Sequence, residues 1–270
     1  SDLPSEQLPL VVGSLTMPRG CDRLSGSQVT GVNRSRGTML TMTTTSLKAS
    51  TSGLLGNRLT RHGTPVILWA SGLLLVTALL LGYGLEDSPT RSALLALPMI
   101  LWLFVLSFFR NPQRPAPAGD LPICPADGKI IVVEDVDDEV YVEEPAVRIQ
   151  IFLSVFNVHV NRSPVNGVVE HLRHVDGSFK SATQASAREV NERQVIGIRS
   201  QDGLKILVRQ IAALIARRIV CPLQAGDSID RGFDFGMIRF GSQTEIVIPP
   251  KDGKKFKAAV KAGQKVQGGR

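Results

Sequence analysis

Hydrophobic and polar positions along the chain fall into three textures. Up to about residue 60, Ser, Thr and Gly recur without aromatic residues or a sustained period. Such a composition buries too little apolar surface to fold, so residues 1–60 are expected to be a disordered or non-native arm, with Met39 or Met42 as a candidate natural start. Two uncharged apolar runs follow, at 65–84 and 93–109, each close to the roughly 20 residues a helix needs to cross a bilayer. The loop between them is too short to be a domain, which predicts a helical hairpin over 61–110. A hairpin buried in a soluble core is the competing reading, because the second run is shorter and holds Pro98. Residues 111–120 are proline-rich and read as a linker.

From 121 to 270 the pattern changes to short Val- and Ile-rich segments bounded by Gly, Pro or Asp. These predict strands near 129–133, 147–155, 165–170, 194–198, 204–208 and 237–240. One helix is expected over about 210–220, where Ile211, Leu214, Ile215 and Ile219 recur at helical spacing, although the β-branched content leaves a strand open. Residues 235–249 read as two strands, one ending near Phe240 and one beginning near Thr244, with Gly241-Ser242 between them. The folded part is therefore mainly β, in an α+β chain.

Charge refines this picture. Arg58, Arg61 and His62 precede the first apolar run and Arg110 and Arg114 follow the second, while the loop carries Glu86, Asp87 and Arg91. The positive-inside rule then puts both ends on the cytoplasmic side of a cell (inner) membrane. The net charge of +7 gathers at these flanks and in the C-terminal tail with Lys251, Lys254, Lys255 and Lys257. That suits an anionic lipid surface, and no basic stretch is interleaved with aromatics as nucleic-acid stacking requires. Cys21, Cys124 and Cys221 show no metal-ligand spacing, so reduced thiols and no metal site are expected.

An internal echo links residues 223–232 to 260–269. In each, an apolar residue is followed by Ala-Gly two and three positions later, another apolar residue, then Gly, at an offset of 37. This signals a duplicated unit, and strand, Gly-turn, strand resembles the hammerhead units of the lipoyl/biotinyl carrier barrel or sandwich. No Met-Lys-Met tip of that carrier family is present.

The chemistry lies at three turn-like positions. Pro125-Ala126-Asp127-Gly128 sets a carboxylate before a strand, Asn157-Val158-His159-Val160 sets an imidazole after one, and Ser242 follows Gly241. A serine that attacks, an imidazole that takes its proton and a carboxylate that orients the imidazole are the parts of an activated nucleophile. On residue types alone, turns and a structural histidine explain the same positions.

From Phe108 to Val247 the chain resembles the short, bacterial and archaeal type of phosphatidylserine decarboxylase proenzyme. The resemblance rests on Phe109-Arg110-Asn111-Pro112, Pro125-Ala126-Asp127-Gly128, Asn157-Val158-His159-Val160-Asn161-Arg162, Asn191-Glu192-Arg193, Gln210-Ile211-Ala212, Ala216-Arg217-Arg218-Ile219-Val220 and Gly236-Met237-Ile238-Arg239-Phe240-Gly241-Ser242. It implies cleavage between Gly241 and Ser242, with Ser242 becoming a pyruvoyl group on an α chain of residues 242–270 and residues 1–241 forming the β chain. His159 would be the general base, Asp127 would orient it, and the pyruvoyl carbonyl would form a Schiff base with the serine amine of the lipid. The implied partners are phosphatidylserine in the bilayer, the membrane and a second copy of the chain. Where longer relatives carry a second histidine, this chain has Phe156, and it has Gln243 and Ala213 where many short relatives have Arg and Gly. The chain ends at Arg270, just after the second echo, where relatives continue into another strand, which leaves barrel closure open. Arg162, Arg217, Arg218 and Arg239 are candidates for headgroup contact, and His171 and His174 are expected at the surface. Two other readings remain at this point, an uncut membrane-anchored adaptor and a Ser-His-Asp hydrolase.

Overall fold

The computed structural model describes residues 46–47, 58–84, 89–137, 140–181, 186–213, 218–239, 242–254 and 256–270. Two helices precede the β domain, α1 (Thr64–Gly84) and α2 (Pro89–Phe108). Both are long and apolar enough to cross a membrane. They pair through a hydrogen bond from Trp102 Nε1 to Ser71 Oγ (2.9 Å). Elsewhere they expose Leu68, Trp69, Leu73, Leu80, Leu97 and Ile100. So broad an apolar surface does not suit a soluble core hairpin, and it does suit lipid.

The base of the hairpin is sealed to the β domain. Thr60 N–H donates to Phe109 O (2.9 Å) and Asn111 N–H to Arg58 O (2.7 Å). Leu59, Ile67, Phe108 and Phe109 share a hydrophobic cluster with Met237 of the β domain. Leu59 and Thr60, at the end of the arm expected over 1–60, are buried at this base, and residues 1–45 and 48–57 of that arm lie outside the described residues. Gly63 is required there, because a Cβ would lie 2.3 Å from Phe109 Cδ1.

The strands are β1 (Ser46–Leu47), β2 (Gly128–Val136), β3 (Ala146–Leu153), β4 (Val160–Arg162), β5 (Gly167–Val175), β6 (Arg193–Ser200), β7 (Lys205–Ile211), β8 (Arg218–Val220), β9 (Ser228–Ile229), β10 (Asp234–Arg239), β11 (Ser242–Ile248) and β12 (Lys265–Val266), with one short helix, α3 (Ala187–Val190). A nine-stranded sheet runs β1-β9-β5-β6-β7-β11-β3-β2-β12, and a three-stranded sheet runs β4-β10-β8. The expected helix at 210–220 is not formed: Gln210 and Ile211 end β7, and Arg218–Val220 is β8, while 214–217 lie outside the described residues. Ile211 and Ile219, the two described members of that apolar spacing, belong to separate strands.

The echo in the sequence extends to a duplication of the domain. Gly226 N–H donates to Val169 O (2.7 Å) and Gly263 N–H to Ile130 O (2.8 Å). Both glycines need positive φ, +95° and +91°. Strands β2 and β5 repeat the same burial alternation, and each breaks register once, between Ile130 and Val132 and between Val169 and His171. Pro125-Ala-Asp-Gly128 answers Pro164-Val-Asn-Gly167, a second echo not identified from the sequence. The two halves meet where β7 and β11 pair, with Val208 opposite Ile246. The C-terminal segment closes its half, because β12 pairs with β2 and Cys124 N–H donates to Arg270 O (2.9 Å).

The proline-rich stretch is fastened down. Arg231 Nη1 donates to Pro117 O (2.7 Å) and Gly119 O (2.6 Å), and Arg114 reaches Gly268 O (2.9 Å). The duplication makes a testable statement about two distant glycines. A Cβ at Gly128 would lie 2.2 Å from Phe152 O, and one at Gly167 would lie 2.3 Å from Arg199 O. Gly128→Ala and Gly167→Ala are each expected to lower stability by about 1–3 kcal/mol or more, measured by denaturant unfolding in detergent, with closely similar losses.

Candidate functional site

Ser242 opens β11, where it sits opposite Leu153 of β3. Its residue is fully buried, and its Oγ has no hydrogen-bond partner among the described residues. Phe240 and Gly241 lie outside the described residues. Alternation along β11 puts Ser242, Thr244 and Ile246 on one face and Gln243 and Glu245 on the other. The first face carries a buried polar chain: Gln210 Nε2 donates to Asn161 Oδ1 (2.7 Å), and Asn161 Nδ2 donates to Thr244 Oγ1 (3.0 Å). On the other face Gln150 Nε2 donates to Gln243 Oε1 (2.6 Å), and Arg209 pairs with buried Glu245. Both faces of β11 are thus pinned.

His159 stands just before β4, and its carbonyl accepts from Ile238 N–H of β10 (3.3 Å), the strand that leads toward Ser242. Asn161, two residues further on, is bonded to Thr244, two residues beyond Ser242. These contacts bring the segments bearing the imidazole and the serine together. The ring packs on Phe108 at the end of α2, with centroids 4.3 Å apart. Its Nδ1 lies 2.9 Å from Asn157 O. A carbonyl only accepts, so Nδ1 carries the proton and Nε2 keeps its lone pair. Burial, helped by the charge of Arg110, pushes the imidazole pKa down to about 4, against the opposing pull of Asn157 O and the Asp127 charge. The ring is neutral at pH 7.

Asp127 lies in the turn before β2. Its carboxylate is gripped by both Nη atoms of Arg114 and accepts Gly268 N–H (2.8 Å). In the other half, Asn166 Oδ1 accepts Arg231 N–H (2.7 Å) at the matching place. The turn bond is therefore common to both halves, and the negative charge belongs to one. The Asp127 charge raises the imidazole pKa, and the contact that sets the ring's tautomer is with Asn157 O.

The other sequence candidates separate. Arg162 is buried and donates to Asn111 Oδ1 (2.6 Å) and Pro112 O (2.8 Å). Arg239 donates to His62 O (2.6 Å) beneath the hairpin. Both hold the fold at the hairpin base. Arg218 is exposed at the start of β8, and Arg217 lies outside the described residues. His174 is exposed, and His171 is half-buried, stacked on Tyr141 at 5.9 Å with its Nε2 covered. Lys251 is paired with Asp202. Burial pushes the thiols of Cys124 and Cys221 up to about 12 and about 11, so neither offers a thiolate. Sequence reasoning missed Arg114, which looked like part of a linker. It also missed Asn161 and Gln210 as one network, although both stood inside the quoted motifs.

Residues 101–270 match the protein family described as phosphatidylserine decarboxylase. Among similar proteins, one from Syntrophus aciditrophicus (strain SB) is 43% identical over 210 residues, covering 77% of this chain and 93% of the relative. One from Carboxydothermus hydrogenoformans is 46% identical over 174 residues, covering 64% and 80%. One from Burkholderia lata is 38% identical over 208 residues, covering 76% and 90%. Each is named phosphatidylserine decarboxylase proenzyme.

The buried chain through Asn161 is open to test. Asn161→Ala leaves Gln210 Nε2 and Thr244 Oγ1 without their partner in a fully buried place, which predicts a loss of about 2–4 kcal/mol in unfolding free energy. Thr244→Val, which removes one end only, should cost less.

Proposed function

Because the chain belongs to the phosphatidylserine decarboxylase family, we propose that this carboxy-lyase makes its own pyruvoyl group from Ser242 and uses it to convert phosphatidylserine to phosphatidylethanolamine and carbon dioxide. The observation that carries this reading is the buried Ser242 Oγ, without a partner among the described residues, beside a segment that holds a neutral imidazole. A buried serine hydroxyl at the start of a strand is well suited to attack the chain just before it.

His159 Nε2 takes the proton as Ser242 Oγ attacks the Gly241 carbonyl carbon, and returns it to the departing nitrogen of Ser242. The peptide becomes an ester with a free amine on residue 242. Loss of the α proton then expels the Gly241 carboxylate. The resulting enamine tautomerises to an imine, which takes up water and releases ammonia, leaving a ketone at residue 242. That group supplies, when formed, a carbonyl able to take up the substrate amine and accept electrons as carbon dioxide leaves. Asp127, fixed by Arg114 and Gly268, supports the imidazolium through its charge. Phe108 shields one face of the ring from water. After cutting, residues 242–270 stay bound, since β11 lies between β3 and β7.

The basic residues Arg58, Arg61 and Arg110 at the hairpin base favour the cytoplasmic face of a cell (inner) membrane. An enzyme held there meets a two-chain lipid without that lipid leaving the bilayer.

Self-cleavage followed in time by gel or mass provides the test. His159→Ala is expected to slow cutting by about 10²–10⁴-fold. In the unaltered chain the rate should hold as pH falls through 6.5 and decline only near pH 4, because the base must be neutral and its pKa is about 4. Asp127→Asn keeps an acceptor for Gly268 N–H, as Asn166 does for Arg231, so the fold should survive while cutting slows by about tenfold or more. An unchanged rate in His159→Ala would remove the base from the account.

A further inference from the structure

Phe156 is 72% exposed, one of the few large apolar side chains of the β domain turned outward. The turn that carries it is rigid. Ser154 N–H and Ser154 Oγ both donate to Asn157 Oδ1, at 2.9 and 2.8 Å, and Asn157 N–H returns to Ser154 O at 2.9 Å. Arg110 clamps the Phe156 carbonyl from the hairpin side at 2.6 Å. A preformed turn with an aromatic at its tip presents that ring at little conformational cost.

The ring touches the hairpin itself. Phe156 meets Phe104 of α2 edge to face, with centroids 6.5 Å apart and planes at 84°. Phe104 lies 6.4 Å from Phe108, and Phe108 lies 4.3 Å from the His159 ring. Four aromatic side chains thus form a ladder from the exposed tip to the buried imidazole. Phe104 is four residues before the end of α2, about 6 Å along its axis. Phe156 is therefore level with the last turn inside the apolar helix. Arg58, Arg61 and Arg110 lie at the hairpin base, where Arg110 bonds Phe156 O and Arg239 bonds His62 O with Arg218 opposite it in β8, so basic residues accompany the aromatic tip. That combination belongs at the boundary between anionic headgroups and acyl chains.

We propose that the Ser154–Asn157 turn is a third membrane contact, with Phe156 inserted among the lipid chains next to α2. The occupant of this surface is the bilayer. The turn then fixes the height of the β domain, so that His159, three residues further along, stands at headgroup depth. This rests on the reading that the hairpin crosses a membrane.

The full chain in phospholipid vesicles tests both statements separately. Trp69 of α1 and Trp102 of α2 report on the hairpin in the unaltered chain. The Trp69→Phe, Trp102→Phe, Phe156→Trp chain reports on the turn, and circular dichroism and thermal unfolding check its fold. The expected result is blue-shifted emission from position 156 that loses intensity when the vesicle lipids carry brominated acyl chains and ignores aqueous iodide. Emission quenched by iodide and not by brominated lipid, while Trp69 and Trp102 respond to brominated lipid, would overturn the insertion of the turn alone. Emission from position 156 insensitive to both quenchers would overturn it too, since another segment or a second copy would then cover the ring. If Trp69 and Trp102 also fail to respond to brominated lipid, the membrane placement of the hairpin fails first.

Discussion

The pairing of β11 on both of its edges, over seven residues with β3 and five with β7, is the constraint on which the rest of the molecule depends. β11 joins β3 of one half to β7 of the other, so the duplicated units share it as their common seam. Its apolar positions Ile246 and Ile248 enter the main core, and its polar positions Thr244 and Gln243 are bonded to Asn161 and Gln150. A strand held this firmly fixes its first residue as well. Ser242 is thereby kept buried at a chain junction, with no partner for its Oγ among the described residues. The same pairing lets the backbone be cut at that junction without loss of the strand.

A second coupling ties this seam to the hairpin. The imidazole of His159 rests on Phe108, the last residue of α2, and Met237 of β10 shares a cluster with Leu59, Ile67 and Phe109. The apolar hairpin and the candidate site are therefore one packed body. The low basicity of His159 follows from burial, to which the end of α2 contributes by covering the ring.

Much of this was legible in the sequence because the signals were local. Strands at 129–133, 194–198 and 204–208 follow from runs of Val and Ile, and the hairpin from uncharged length. The failure at 210–220 is also local, since β-branched residues at strand ends can imitate a helical repeat. The electrostatics of Asp127 were not legible. Its partner Arg114 sits in a proline-rich stretch that looks unstructured, and its other partner is a backbone N–H at Gly268, brought near only by the fold. The duplication was half visible. One echo has an offset of 37 and the other, Pro125-Ala-Asp-Gly128 with Pro164-Val-Asn-Gly167, has 39, so no single period exposes both. Orientation of His159 by Asn157 depends on a backbone carbonyl, which residue type does not encode.

Whether the chain cuts itself at Ser242 and turns that serine into its reactive group is decided by the intact mass of the purified full chain, measured beside Ser242→Ala. Two fragments are expected, residues 1–241 and 242–270, the smaller with a pyruvoyl mass at its N-terminus, and a single uncut chain for Ser242→Ala. A decarboxylating preparation that runs as one uncut chain, or a smaller fragment beginning with an unmodified serine, would contradict that expectation.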